Sequence, residues 1–216
     1  GRALAVEDLA SLARVGSGSA CRSLLGGFVE WLPGAGGSRI AALAPKEHWP
    51  LAVLVAVTSD RPKRTGSREG MERTRTSSPY YEPWLAAGSA ELVPVREAIL
   101  RRDLGALGAA IERNCLRMHA AALGADPPLL YWEPATVAVI REVWRLREAG
   151  VGAFFSIDAG PQVKVLCEPP AAEIVEKALA SVAGVLRVMR SGPGSGARRL
   201  DAPPAWAAGR IGEDLP

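Results

Sequence analysis

Three short stretches of this 216-residue chain carry residue types that can bind an anion or move a proton. In GSGSACR, residues 16–22, Gly16 and Gly18 allow a tight turn, and Ser17, Ser19 and Arg22 bring hydroxyls and a guanidinium to it. If Ser19 caps a helix running over residues 21–31, Arg22 falls in its first turn, where free amides and the helix dipole attract anions and a cation opposes the dipole. A bound phosphate or carboxylate accounts for that arginine, and so does a capped helix with a solvated arginine. In RPKRTGSREGMERTRTSS, residues 61–78, six basic side chains accompany two acidic ones. Ser67 and the amides near Gly66 and Gly70 could neutralise phosphates there, but charge runs are usually solvated, and the residue types favour that reading. In SIDAG, Asp158 ends an apolar strand and is followed by Ala159 and Gly160, small enough to let a ligand approach. A strand-end carboxylate is well placed to act as a base, while Asp-x-Gly-Pro is also a common turn, and the residues alone favour the turn.

Other candidates are weaker. His119 lies among apolar residues of a helical segment and reads as packed or capping. SGPGSGARR, residues 191–199, lacks the Gly-Lys-Ser/Thr ending of a phosphate loop and reads as a turn. With His48 and His119 the only histidines, a multi-histidine metal centre is excluded, no metal ligand set is assigned, and a general base is expected to be a carboxylate.

The elements that must hold these residues follow from patterning. LPGAGGS, residues 32–38, predicts a Gly-rich turn, and SRIAALA after it a short strand at a hairpin-like edge. Residues 51–57, LAVLVAV, are apolar throughout and predict a strand buried on both faces. Helical spacing follows over residues 78–150, broken at Asp126-Pro127-Pro128, with Ile111, Cys115 and Met118 on one face and Val137, Ile140 and Trp144 on another. VGAFFSIDAG and QVKVLCE predict two strands, residues 170–183 a helix, VLRVM a last strand, and the tail after Ser191 irregular chain. The order β, helices, β, β, α, β is that of a ferredoxin-like, split βαβ domain with extra helices in its first crossover, so the fold class is α+β.

The bulk properties narrow the classes of function. Net charge is +3, from 26 basic and 23 acidic residues, too mild to make a nucleic-acid binder on its own. The longest apolar run is far short of a membrane span and no signal layout opens the chain, so no membrane partner is expected. Cys21, Cys115 and Cys167 fit neither a disulfide framework nor a zinc site, which implies a reducing, cytoplasmic setting.

GSGSACRSLLGGFVEW, EHWPLAVLVAV, TGSREGM, MHA with DPPLLYW, and FFSIDAGPQVKV, in that order, resemble the diphosphomevalonate decarboxylases of the GHMP kinase superfamily, and Gly192-Pro193-Gly194 is similar to their C-terminal GPG. The resemblance implies a mevalonate-pathway enzyme that uses ATP and Mg2+ to phosphorylate the tertiary hydroxyl of mevalonate 5-diphosphate, after which phosphate and carbon dioxide leave to give isopentenyl diphosphate. Carried over by motif, Asp158 stands beside the reacting hydroxyl, Arg22 holds the substrate carboxylate, Ser17, Gly18, Ser19 and Ser67 surround the substrate with Ser67 toward the diphosphate, and Met71 and Ala159 form walls.

It further implies residues 1–48 as the remainder of a GHMP-type N-terminal domain, residues 49–216 as the ferredoxin-like C-terminal domain, and a homodimer when full length. The family's opening segments, with their lysine and tyrosine and Gly/Ser-rich nucleotide loop, have no counterpart here. The chain is therefore expected to be a fragment, inactive alone. Two alternatives stand beside this reading: a relative acting as decarboxylase or kinase on another mevalonate phosphate, and a non-catalytic module binding RNA or a partner through residues 61–75.

Overall fold

The computed structural model describes residues 4–32 and 39–198. The Gly-rich turn expected at residues 32–38 lies largely outside them, as does the tail from Arg199 on. The chain forms two compact units, one built from the residues before Glu47 together with those from Gly194 onward, the other Glu47–Pro193.

In the first unit, helix α1 (Val6–Gly16) leads through a short 3-10 turn (Ala20–Leu24) to an antiparallel pair, β1 (Phe28–Leu32) and β2 (Arg39–Ala44). The helix expected over residues 21–31 is not there. Gly26 and Gly27 both adopt positive φ, 69° and 63°, which a helix cannot accommodate and side-chain-bearing residues avoid. Beyond them Phe28-Val29-Glu30-Trp31 has aromatic and β-branched character and pairs with Ala44–Ile40. The glycines also admit the chain's own tail: Gly27 N donates to Gly194 O at 2.8 Å, Ala197 N to Ser23 O at 3.0 Å, and a Cβ on Gly26 would run into the backbone at Gly196. Ala10, Cys21 and Ala44 are buried, and Arg14 lies over the Trp31 ring at 4.5 Å.

The second unit is a four-stranded antiparallel sheet with helices. Its elements are β3 (Ala52–Val57), α2 (Ser67–Ser77), α3 (Tyr81–Arg101), α4 (Leu104–Leu123), α5 (Pro134–Glu148), β4 (Ala153–Ser156), β5 (Val163–Cys167), α6 (Ala172–Ala180) and β6 (Arg187–Ser191), with strand order β4-β5-β3-β6. The core is the sheet face bearing Leu54, Ala56, Phe155, Val163 and Val165, covered by Val139, Ile140, Val143 and Leu146 of α5 and Val175 and Leu179 of α6. Val53 and Val55, on the other face of β3, are only half-buried, so this central strand is fully buried on one face rather than on both.

Two further expectations are corrected. The charge run at residues 61–78 is not simply solvated: Ser67–Ser77 form α2, and its charges pair along the helix, Arg73 with Glu69 at 2.8 Å and Arg75 with Glu72 at 2.5 Å. The buried stripe of α5 is Thr136, Val139, Ile140, Val143 and Leu146, while Val137 and Trp144 are partly exposed, at 42% and 40%. The break between α4 and α5 does fall at the Asp126-Pro127-Pro128 segment, and β6 begins two residues later than the apolar run VLRVM predicts.

Candidate functional site

The candidate residues fall into a serine and arginine turn in the first unit and a carboxylate turn with its neighbours in the second. In the first, α1 ends at Ser17, whose N–H donates to Ala13 O at 3.1 Å. Ser17 O then accepts from Ala20 N at 3.0 Å, and Ser19 O from Arg22 N at 3.3 Å. Backbone turns thus bring Ser17, Gly18, Ser19 and Arg22 together on the surface, all four exposed. Ser19 begins only a five-residue 3-10 turn, and its hydroxyl makes no capping bond. The side chains available to an anion are hydroxyls and a planar guanidinium, a set suited to a carboxylate or phosphate.

Asp158 and Ala159 lie in the turn from β4 to β5. The Asp158 carboxylate is largely exposed and is paired with Lys164 of β5. That lysine stands opposite Ser156 in the β4–β5 register, so the hairpin itself supplies the cation beside the carboxylate. Pattern reading took Lys164 only as part of a strand. The one signal it gave is a lysine in the otherwise apolar VKVLC, where a half-buried strand position carries a charge.

The far side of this turn is tied to the exit of β3. Gln162 spans the gap as a strand would: its side-chain oxygen accepts from Thr58 N at 2.7 Å and its amide donates to Ser59 O at 2.6 Å. Thr58 and Thr136 hydroxyls both donate to Pro161 O, at 3.1 and 2.8 Å, and both threonines are buried. Gly160 sits at φ 102°, a conformation that favours glycine, and a Cβ there would lie 3.3 Å from Tyr131 O.

Tyr131 also reaches α2. Its hydroxyl donates to Gly66 O at 3.5 Å, and a Cβ on Gly70 would collide with that hydroxyl. Ser67 opens α2 and Met71 lies one turn further along it, with Lys63 Nζ donating to Ser67 Oγ at 3.5 Å and Met71 exposed. One tyrosine therefore hydrogen-bonds the residue that precedes Ser67 and lies close to Gly160, in the turn that carries Asp158 and Ala159. Its signal in the sequence was the YW that closes DPPLLYW.

His119 is 4% exposed, packs on the Trp132 ring at 4.9 Å and meets Ile157 O at 3.4 Å. Burial lowers its pKa below the usual 6.5. Cys115, beside it, is pushed up to about 11 by burial, so it is a thiol and not a nucleophile. Both are structural groups, as the sequence predicts for the histidine.

Comparison with known proteins places the chain in one family. The mevalonate 5-diphosphate decarboxylase C-terminal domain matches residues 53–192, and the diphosphomevalonate decarboxylase-like N-terminal domain matches residues 1–42. A diphosphomevalonate decarboxylase of Ganoderma lucidum is 37% identical over 171 residues, covering 74% of this chain and 43% of its own. A structure described as MDDEF in complex with MVAPP, AMPPCP and magnesium superposes with a TM-score of 0.81 at 38% identity, over 89% of this chain and 60% of that one. The mevalonate diphosphate decarboxylase of Staphylococcus aureus does so with a TM-score of 0.82 at 36% identity, over 89% and 59%. The chain thus spans less than half the length of the curated relative and about three fifths of each solved structure, and it belongs to the mevalonate 5-diphosphate decarboxylase family.

Proposed function

We propose that this chain supplies the Asp158 and Arg22 machinery of an enzyme that converts mevalonate 5-diphosphate to isopentenyl diphosphate by ATP-dependent phosphorylation, followed by loss of phosphate and carbon dioxide. The observation that carries the reading is the Asp158 turn: an exposed carboxylate beside the Lys164 cation, on a backbone tied to β3 by Gln162 and touching, through Tyr131, the helix start that bears Ser67. Asp158 accepts the proton of the tertiary hydroxyl or orients it for attack. Arg22 takes the substrate carboxylate in a two-pronged hydrogen bond, with Ser17, Gly18 and Ser19 around it. Ser67 at the start of α2 meets the diphosphate, and Met71 and Ala159 form apolar walls. Phosphoryl transfer rests mainly on positioning and charge neutralisation, which suits hydroxyls, amides and one arginine.

Bound ATP supplies the phosphoryl group that turns the tertiary hydroxyl into a leaving group. Among the described residues no group of three or more His, Cys, Asp or Glu could hold a metal ion, so a magnesium ion would be held mainly by the ATP phosphates and water. The strand order β4-β5-β3-β6 supports a ferredoxin-like second domain, beginning near residue 49 after the close of an N-terminal domain. The three buried thiols support a cytoplasmic setting.

The test joins the portion of the Ganoderma lucidum relative that lies ahead of the matched region to this chain, and follows carbon dioxide release with ATP and magnesium. Release from mevalonate 5-diphosphate, with little from the monophosphate, is expected. A folded joined enzyme that binds mevalonate 5-diphosphate and releases none contradicts the proposal, and preference for the monophosphate moves it to a different substrate.

A further inference from the structure

Among the described residues β4 is an edge strand, paired only with β5, yet the groups on its open side are taken up by side chains of helices α4 and α5. Glu112 Oε1 accepts from Phe155 N at 2.9 Å, and Arg147, which grips Glu112 at 2.5 and 3.0 Å, donates to Ala153 O at 3.0 Å. One turn further along α4, Cys115 Sγ accepts from Ile157 N at 3.2 Å and faces Ile157 O at 3.6 Å. His119 Nε2 reaches the same carbonyl at 3.4 Å, and a carbonyl opposite Nε2 requires that nitrogen to carry the proton. At the start of this row Gly108 makes room for the Phe154 ring, where a Cβ would overlap it. The spacing 108, 112, 115, 119 is one helical face, and it follows the edge of β4 as a neighbouring strand would.

We propose that Cys115 and His119 are positioning residues for Asp158. Resting on the functional reading above, they hold both backbone groups of Ile157, the residue immediately before that carboxylate, and so fix the point from which its side chain projects. Ile157 is 1% exposed and Asp158 is largely exposed, so the chain passes in a single step from a fully held residue to an exposed side chain whose partner is the Lys164 cation. Such a base can rotate toward a hydroxyl without its backbone drifting, and misplacement of a catalytic group by about 1 Å costs ~100-fold in rate.

The joined enzyme and the chain itself both test this. His119→Phe keeps the bulk against Trp132 but removes the donor; kcat is expected to fall ~10-fold or more with KM for mevalonate 5-diphosphate within about twofold, and His119→Gln, which retains a donor, to restore most of it. Cys115→Ala is expected to act in the same direction and Cys115→Ser to act less. In the unmutated chain the Ile157 amide should exchange with solvent as slowly as amides inside the sheet, a readout that does not depend on any variant folding. Exchange at the rate of an open edge amide overturns the proposal, as does His119→Phe with unchanged kcat, or a kcat loss that Gln does not rescue. Asp158→Asn in the same assay separates the two readings: if it retains full turnover the functional reading fails, and if it is inactive while the Cys115 and His119 variants are normal only the positioning role fails.

Discussion

The two turns that carry the candidate chemistry are built on opposite plans. Around Ser17 to Arg22 the restraints are short-range backbone bonds, Ala20 N to Ser17 O and Arg22 N to Ser19 O, and every candidate side chain is exposed. Around Asp158 the restraints come from far along the chain: Cys115 and His119 on Ile157, Gln162 on Thr58 and Ser59, Thr136 on Pro161, Tyr131 beside Gly160. An arginine can find a carboxylate from a compliant turn because its long side chain and planar fork adapt to the ligand. A short aspartate cannot search for a proton, so its backbone has to be placed in advance. The contrast teaches that the demand for rigidity follows the reach of the side chain and the step it performs.

The largest effect is expected from breaking the long-range restraints. Glu112 is 8% exposed and accepts both from the Arg147 guanidinium and from the Phe155 amide, so Glu112→Ala leaves a largely buried cation without its carboxylate, with only Ala153 O to accept from it, and a buried N–H without its acceptor. Equilibrium denaturation of the chain should show a loss of about 3 kcal/mol, carried by the second unit. A loss below about 1 kcal/mol would mean that the edge of β4 is held by something else.

At the compliant turn, Arg22→Lys keeps the charge and loses the two-pronged geometry. The joined enzyme should lose ~10-fold in kcat/KM, with no change in stability. Unchanged turnover would show that Arg22 acts only as a distant charge. Smaller still, Ser67→Ala removes one neutral donor at the start of α2. Affinity for mevalonate 5-diphosphate, read by calorimetry, should weaken by about 1 kcal/mol with kcat nearly unchanged.

The smallest effect is a pH dependence. His119 is neutral in the fold and its pKa is depressed by burial, so below about 6.5 the unfolded chain takes up a proton that the folded chain refuses. Stability should therefore fall as pH drops below that value and be independent of His119 above it. His119→Gln should flatten this part of the profile, and a variant with the same slope as the parent would show that other groups produce it.

Much of the scaffold is readable from local pattern. The Val-rich runs at β3 and β5 announce themselves by β-branched residues, and the Asp126-Pro127-Pro128 segment ends the helical spacing where α4 gives way. The misreadings have equally local causes. Arg22 and the apolar residues after it suggested a helix because the paired left-handed Gly26 and Gly27 were passed over. The segment from Ser67 to Ser77 reads as a solvated charge run because it has almost no apolar period, and its helix is supported instead by Arg and Glu pairs three and four residues apart. Asp158, Arg22 and Ser67 were legible only through motif resemblance, since each alone reads as a turn, a cap or a solvated charge. Tyr131, Gln162, Cys115 and His119 could not be assigned from spacing at all. Their partners, from Gly160 beside Tyr131 to Thr58 beside Gln162, lie 29 to 104 residues away, and only the packing of α4 and the loops around the sheet brings them together.

The contrast between a compliant arginine turn and a fixed carboxylate turn rests on Asp158 performing the proton step. Asp158→Asn keeps the size of the side chain and its capacity to hydrogen-bond while removing the base, so steady-state carbon dioxide release by the joined enzyme measures that role directly. The expected result is a fall in kcat of ~100-fold or more with KM for mevalonate 5-diphosphate nearly unchanged. Near-normal turnover in Asp158→Asn, with turnover abolished in Ser67→Ala, would contradict the account and move the reacting centre to the start of α2.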